Sequence, residues 1–477
     1  MSDYRGLFKH SRNYLFATMA TKALSFISIP VYTRLLTVED YGIVNVFMSM
    51  VGIVAVLLTL SSEASISRYY YDAKDTDDFK RFVGTSIRLT SIILLVTTTI
   101  FVLGLNLIAD IVDLPRRLTL CLVPVAIFNI TNSIFTQIYN PQMQSKKIAI
   151  VSSIQSYSAF ALSIVCILLI KEEKYYGYIY GNIIAMALLG FYMVRQIKPF
   201  YESCFDKKYV PYILKYCLPY IPDALSGIIL AQFSKIFIGS NQGFALAGTY
   251  GFVVNIATLM MIVIQITNNA WVPYYFRYMN VKDYKSVDND FNLIWRLSLV
   301  AAIGLSFFGK ELAEILAKKD FLDMMPILPL LVTGYIFHQW AYLYLRNVGY
   351  SKRMMWNTYA YMFSGAALVA LNIFLVPRFH GYGAAIATLS SYVLLFLFTY
   401  VTNKHVIRLH APSVIKSLKP FVIYMVFIAA AIYLYTLDVN WALLLMIKLL
   451  LFTIVCVLLV YPFLDKLIPF IKCKLKV

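Results

Sequence analysis

The sequence has few charged residues. Only 14% of its 477 residues are Asp, Glu, Lys or Arg, whereas 60% are apolar or aromatic. A soluble domain carries about 25% charged residues because its large surface must stay in contact with water. With a mean hydropathy of +0.71, this chain has too little polar surface for a soluble fold. We therefore expect an all-α integral membrane protein.

Acidic residues are scarcer than basic ones, 24 against 42, which gives a net charge of +18. Such an excess can indicate a nucleic-acid-binding protein. Here the basic residues gather in short connections between apolar runs of about twenty residues, each long enough to cross a membrane as a helix. No basic helix or arm is left to follow a phosphate backbone. We therefore predict no nucleic-acid partner.

Cysteine and histidine are also too few and too scattered to form a site. The six cysteines include no CxxC pair, and the five histidines are dispersed. This pattern predicts neither a zinc site nor a disulfide framework, and we expect no metal or organic cofactor. The first apolar run lacks a small-residue cleavage site, so we expect it to be retained as a span.

The apolar windows predict about fourteen transmembrane helices. With the N-terminus in the cytoplasm, the cytoplasmic connections carry roughly three times as many Lys and Arg residues as the opposite side, as the positive-inside rule requires. Both termini are then cytoplasmic, and twelve spans plus two poorly inserted hairpins is the alternative. The windows lie near 12–33, 41–61, 84–108, 116–137, 148–170, 175–196, 212–239, 243–270, 291–309, 325–347, 354–376, 381–403, 415–436 and 441–461.

Several landmarks recur 206 positions apart. The cluster SKK at 145–147 recurs as SKR at 351–353, Gly42 matches Gly248, and Gly177 matches Gly383. An even number of spans per copy predicts two six-helix repeats of the same orientation, a common transporter architecture. The predicted parts are an N-lobe (1–197), a cytoplasmic linker (198–211), a C-lobe (212–403), and a C-terminal helical pair with a basic tail (404–477).

Six stretches together resemble a known family. They are IPVYTRLLTVEDYGIVNVF (29–47), SEASISRYYY (62–71), LPYIPDALSGIIL (218–230), ALAGTYGFVVNIA (245–257), NAWVPYYF (269–276) and LNIFLVPRFHGYGAAIATLSSY (371–392). The combination is similar to bacterial polysaccharide flippases of the Wzx type, in the MOP superfamily. The likeness extends over roughly residues 10–405 and implies a MATE-like fold.

The resemblance implies transport of an undecaprenyl-diphosphate-linked oligosaccharide across the bacterial inner membrane, for O-antigen or capsule assembly. It also implies membrane lipids, and the polymerase and chain-length proteins of the same pathway, as partners. One departure concerns the coupling ion. Many relatives carry an acidic-basic pair late in the seventh helix, where this chain has Ser234 and Lys235. The role of that acid cannot be transferred to this chain.

Two charged residues lie deep within predicted spans. A charge in hydrocarbon costs about 3 kcal/mol or more, so it usually faces a cavity or a partner. Lys22 lies about ten residues from either end of the first span, roughly 15 Å at the helical rise. Asp223 lies beside Pro219 and Pro222, which we expect to break the seventh helix. We predict a cavity cation or an ion pair at Lys22. Asp223 is predicted to pair with it, to bind a proton or sodium ion, or to be satisfied by neighbouring hydroxyls.

Four further basic residues complete the predicted cationic cleft: Arg34, Arg68, Lys235 and Arg296. Arg34 lies at the outer end of the first span and Arg68 at the inner end of the second. Lys235 and Arg296 lie about two turns from a membrane face, and the alternative for them is that they reach the headgroups. Arginine binds phosphate through two parallel hydrogen bonds, which suits a diphosphate headgroup. Arg88 and Lys448 also fall within spans, where we expect them to reach the headgroups along the membrane surface.

Two other functions compete with this interpretation. A drug or cation antiporter, or a lipid II flippase, would have the same fold. A polytopic glycosyltransferase or polymerase could use Glu39 and Asp40 in the first outer loop, but acids are also favoured at a helix N-terminus. The segment GLSFFGKE (304–311) fails as a nucleotide-binding loop, because Glu311 replaces the Ser or Thr that holds magnesium. We therefore predict a transporter and not an enzyme.

Overall fold

The computed structural model describes Leu24, residues 26–436 and residues 440–460. Within these residues the chain is helical, with no strand. Residues 26–35 are helical and precede fourteen α-helices, which are numbered here in chain order. They are α1 (Val38–Thr59), α2 (Ser65–Tyr69), α3 (Thr76–Leu103), α4 (Leu105–Val112), α5 (Arg116–Tyr139), α6 (Ser145–Leu169), α7 (Tyr175–Ile197), α8 (Val210–Gln242), α9 (Phe244–Asn280), α10 (Tyr284–Leu316), α11 (Leu328–Tyr350), α12 (Met355–Thr402), α13 (Val414–Thr436) and α14 (Trp441–Val460).

Polar side chains cap the starts of α1 and α3. The Thr37 hydroxyl accepts a hydrogen bond from the Asp40 backbone, and the Asp40 carboxylate accepts one from the Thr37 backbone, which is a capping box at α1. At the start of α3, the Asp75 side chain accepts a hydrogen bond from the Asp78 backbone N–H at 2.7 Å. These contacts satisfy helix-end donors that have no partner within the helix. Asp40 at the start of α1 therefore has a structural role as a helix cap.

Twelve helices of the described residues are long and apolar enough to cross a membrane, so the expected count of fourteen is not confirmed. The predicted spans 354–376 and 381–403 are the two parts of α12, which is kinked between them. His380 interrupts it with φ 50° and ψ −129°. The first predicted span, 12–33, lies mostly outside the described residues.

The predicted break in the seventh span is wrong. Helix α8 runs without interruption from Val210 to Gln242, with Pro219 and Pro222 inside it. Each proline removes one backbone donor. Within a membrane protein such a loss is tolerated where side chains and neighbouring helices satisfy the freed carbonyls. The Ser226 hydroxyl adds a hydrogen bond close to the prolines, because it donates to the Pro222 carbonyl at 2.6 Å.

The chain divides into two compact units whose boundary lies between Gly248 and Thr249. In the first unit α6 packs along α7, α5 packs on α7, and α1 packs on both α5 and α8. In the second unit α11 packs along α12, while α10 contacts α11, α13 and α14.

Close helix crossings in the first unit depend on glycine. A Cβ at Gly42 would lie 1.8 Å from the Phe244 carbonyl oxygen, and one at Gly248 would lie 2.1 Å from the Val38 carbonyl oxygen. Any side chain at either position would force the start of α1 away from the start of α9. Gly42 and Gly248, which are 206 positions apart in the sequence, therefore each lie against the helix that contains the other.

Candidate functional site

A polar stripe follows α8 where it packs against α1 in the first unit. Gly239 faces Val46, and the Ser49 hydroxyl donates to the Gln232 side chain at 3.1 Å. The two helices run antiparallel along this contact. Since residues three and four apart share a helix face, Lys235 belongs to the same stripe, between these two contacts.

Lys235 is buried, with 7% of its surface exposed. No carboxylate of the described chain lies within ion-pair distance of its ammonium group. A buried cation without a fixed counter-charge is energetically unfavourable inside a membrane protein, and such residues usually mark a ligand or ion pathway. Lys235 is therefore the strongest of the predicted cleft residues.

Asp223 lies twelve residues before Lys235 on the same helix, about 18 Å away at the helical rise. The structure therefore does not bring these two charges together. Lys22, the other predicted partner of Asp223, lies outside the described residues. The pairing of Lys22 with Asp223 remains a prediction.

The remaining predicted cleft residues make contacts with other parts of the chain. Arg34 is exposed and donates to the Pro30 carbonyl at 2.9 Å. Arg68 is also exposed and lies 3.4 Å from Asp72. In the second unit, Arg296 donates to the Leu459 carbonyl at 3.2 Å. This last bond ties α10 to the end of α14. Transport roles for these residues remain predictions.

Sequence reasoning missed Glu63, which lies in the turn after α1. The Ser133 hydroxyl lies 3.4 Å from one carboxylate oxygen, and the other oxygen is buried without a hydrogen-bond partner among the described residues. Burial raises the pKa of this carboxyl above its usual value. The sequence signal was a single acid among small hydroxyl residues directly after an apolar run, in the segment SSEAS.

Sequence reasoning also missed a stripe on one face of α11 in the second unit. His338, Tyr342 and Arg346 follow one another at intervals of four residues, which places them on one face. The His338 ring is only 5% exposed and lies 4.8 Å from the Tyr342 ring, measured between centroids. Within the described part of the chain, His338 Nδ1 and Arg346 Nε are buried without hydrogen-bond partners.

Buried polar atoms in native proteins are usually hydrogen-bonded, so unpaired ones indicate water or a ligand. The Gln339 side-chain oxygen, next to His338, is a third such atom in this part of α11. Histidine, tyrosine and arginine side chains together can stack on a sugar ring and donate to hydroxyl or phosphate oxygens. No group of three potential metal ligands occurs in the part of the chain that the structure describes.

The chain matches known proteins over most of its length. Residues 9–279 match the family model described as "Polysaccharide biosynthesis protein". The "Lsg locus putative protein 1" of Haemophilus influenzae is 23% identical over 429 residues, which cover 83% of this chain and 99% of that protein. An "Uncharacterized membrane protein" of the same organism is 24% identical over 57% of this chain and 65% of its own length.

Two solved structures show the same fold. The inward closed conformation of the lipid II flippase MurJ aligns with a TM-score of 0.71 at 16% identity, covering 94% of this chain and 99% of that one. An inward-facing multidrug resistance MATE family transporter of the MOP superfamily aligns with a TM-score of 0.66 at 13% identity, over 81% and 94% of the two chains.

These likenesses confirm the predicted MATE-like fold. The apolar helices make the protein a multi-pass membrane protein. The match to residues 9–279 covers more than half of the chain. The chain therefore belongs to the polysaccharide biosynthesis protein family.

Proposed function

We propose that the protein is a flippase that moves undecaprenyl-diphosphate-linked oligosaccharide units across the bacterial inner membrane by alternating access. The units would supply O-antigen or capsular polysaccharide assembly. The observation that carries the proposal is the buried ammonium group of Lys235, which has no acidic partner among the described residues. An anionic diphosphate would provide its counter-charge during transport.

Each unit offers one stripe with side chains suited to this class of substrate. Lys235, together with the predicted Lys22, Arg34, Arg68 and Arg296, would hold the diphosphate. The α11 stripe would contact the saccharide, because its aromatic and histidine rings offer stacking surfaces beside unpaired polar atoms. The polyprenyl chain would stay in the surrounding lipid.

Alternating access requires lobes that move against each other. We propose that the lobes are the sequence repeats 1–197 and 212–403, joined by the linker 198–211 and followed by the helical pair 404–477. Both termini would be cytoplasmic. Topology reporters fused at each end, and in each connection, would test the orientation directly.

A proton or sodium ion would drive the cycle. Asp223 and Glu63 are the acids of the first unit best placed for this role, because Asp223 lies mid-way along a membrane helix and Glu63 is half-buried with one buried carboxylate oxygen. An acid that binds a proton tightly in one conformation and releases it in the other would couple proton movement to the conformational change.

A chromosomal deletion tests the proposal. Loss of the flippase should leave completed, single repeat units attached to the lipid carrier on the inner leaflet. Unpolymerised units on the outer leaflet would indicate the polymerase, and incomplete units would indicate a glycosyltransferase. Complementation with Arg346→Gln should restore less export than the wild-type gene, at equal protein level.

The second candidate is a lipid II flippase, favoured by the alignment with MurJ over 94% of this chain. In that case the deletion would stop peptidoglycan synthesis and accumulate lipid II, while surface polysaccharide precursors would be normal. A drug antiporter would instead change only the sensitivity of the cells to toxic cations.

A further inference from the structure

A groove lies on the first unit between α3, α5 and α7, with a volume of about 780 Å³. This size falls within the usual range of small-molecule sites, about 300–1,000 Å³. It is separate from the polar stripe of α8, whose residues do not line it. Its two ends differ in chemistry.

One end of the groove is apolar. Its walls include Leu94 of α3, Ile127 of α5 and Phe191 of α7. The Phe191 side chain is 76% exposed, so no other helix of the described chain covers it. All three residues lie inside candidate membrane spans. The surroundings of this end are therefore lipid chains.

The other end of the groove is cationic. Arg88, Arg195 and Lys198 line it together with Tyr201. Among the described residues, none of the three cations has a carboxylate within 4.0 Å. Three positive charges thus converge on one opening without fixed counter-charges.

The linker after α7 holds this end in place. The Arg88 guanidinium donates to the Ser203 hydroxyl at 2.7 Å and to the Tyr201 hydroxyl at 3.4 Å. The nearest acid in the linker, Glu202, is occupied by Arg81 at 3.4 Å. The hydrogen bond from Arg88 lowers the pKa of Tyr201, as expected beside a positive charge.

We propose that this groove binds an anionic glycerophospholipid of the surrounding membrane, with its phosphate at Arg88, Arg195 and Lys198 and an acyl chain along the apolar wall. The charge pattern selects this ligand. A zwitterionic lipid would leave the three cations without a net counter-charge, and a soluble anion would not use the apolar wall. Basic pockets between membrane helices bind anionic headgroups in this manner.

A bound lipid would join α3, α7 and the linker, so it should stabilise the folded protein. The test uses the full-length chain, purified in detergent and titrated with phosphatidylglycerol or phosphatidylcholine. Thermal unfolding and native mass spectrometry are the readouts. We expect phosphatidylglycerol to raise the unfolding midpoint and to remain bound, whereas phosphatidylcholine should do neither.

Two variants locate the site. Replacement of all three cations, Arg88→Gln, Arg195→Gln and Lys198→Gln, should weaken phosphatidylglycerol binding by about 100-fold, because each basic residue near an anionic headgroup contributes about fivefold. Ser91→Trp should also abolish binding, since it fills the groove from an exposed position and leaves every cation intact. This second variant decides the question if the triple variant does not fold.

The matched control removes three exposed lysines outside the groove, Lys74, Lys146 and Lys207, and should leave the phosphatidylglycerol effect unchanged. An equal loss in this control would overturn the proposal, because it would show a non-specific charge effect. Equal stabilisation by phosphatidylcholine or by inorganic phosphate would overturn it as well. Stabilisation by polyprenyl phosphate but not by phosphatidylglycerol would assign the groove to the transported lipid instead.

Discussion

Lys448 Nζ lies 2.5 Å from Glu311 Oε1, which joins α14 to α10 through an ion pair. The lysine is 2% exposed, so it does not reach the headgroups as the sequence predicted. The sequence placed Lys448 within a predicted span and Glu311 just after another, but it could not show that they are neighbours. Glu311, which excludes GLSFFGKE as a nucleotide-binding loop, is therefore the internal counter-charge of Lys448.

Removing one partner of this pair should destabilise the protein strongly. Lys448→Met leaves the Glu311 carboxylate without its counter-charge, and broken buried pairs typically cost about 3–5 kcal/mol. We expect a clearly lower thermal unfolding midpoint in detergent. The double variant Lys448→Met/Glu311→Leu should recover most of the loss, while Lys416→Met, at an exposed position of α13, should change little. Equal midpoints for Lys448→Met and wild type would contradict the pair.

A larger residue at Gly42 should separate α1 from α9. The Cβ of Gly42→Ala would meet the Phe244 carbonyl oxygen at 1.8 Å, which the backbone can relieve only by moving. We expect a loss of about 1–3 kcal/mol, typical of overpacking. Gly227→Ala is the matched control, because a Cβ there meets nothing within 4 Å and alanine favours the helix. Similar effects of both changes on the unfolding midpoint would refute the close crossing.

Lys235→Met should abolish export without unfolding the protein. The change removes a buried charge that has no acidic partner in the described chain, so stability should be equal or higher. Lys235→Arg should keep part of the activity, because a cation remains. Export is measured by surface polysaccharide and protein level by immunoblot. Full export by Lys235→Met would remove this residue from the site.

Glu63 should make stability depend on pH. A carboxyl with a raised pKa in the folded protein binds its proton more tightly there than in the unfolded chain. Its contribution is therefore fully present below the ordinary glutamate pKa, about 4.3, and is lost as pH rises through the higher folded value. Glu63→Gln should flatten the unfolding midpoint across this window. Glu39→Gln, at an exposed position, should keep the wild-type slope, and an unchanged slope in Glu63→Gln would count against the buried acid.

Lys22→Ala should abolish export, and Lys22→Arg should retain some of it. The reason is the depth of Lys22 in its predicted span, where a cation needs an anionic partner or cargo. The same polysaccharide assay applies, with Arg5→Ala in the N-terminal tail as a control for loss of one positive charge. Normal export by Lys22→Ala would exclude Lys22 from the transport path.

Much of the fold followed from apolar run lengths, because a helix is the structure that satisfies its own backbone in lipid. The positions of breaks within individual helices were not predicted correctly. Pro219 and Pro222 were expected to break α8, but its backbone continues through both. The helical backbone is interrupted instead at His380 in α12, between the predicted spans 354–376 and 381–403.

The candidate site was only partly accessible from sequence. Lys235 could be named because a cation in an apolar run is conspicuous. Glu63 and Arg346 could not, because both lie near the ends of apolar runs, where charges are ordinary. Their importance depends on buried atoms without hydrogen-bond partners among the described residues, and burial is a property of the packed helices.

The sequence by itself determined the membrane class, the helical architecture and the family, since these depend on composition, run length and local motifs. Tertiary structure alone decided which charges meet and which stay unpaired. Glu311 reaches Lys448 across 137 residues of chain, whereas Lys235 has no such partner in the described chain. Electrostatic energy depends on distance in space, and separation along the chain does not report it.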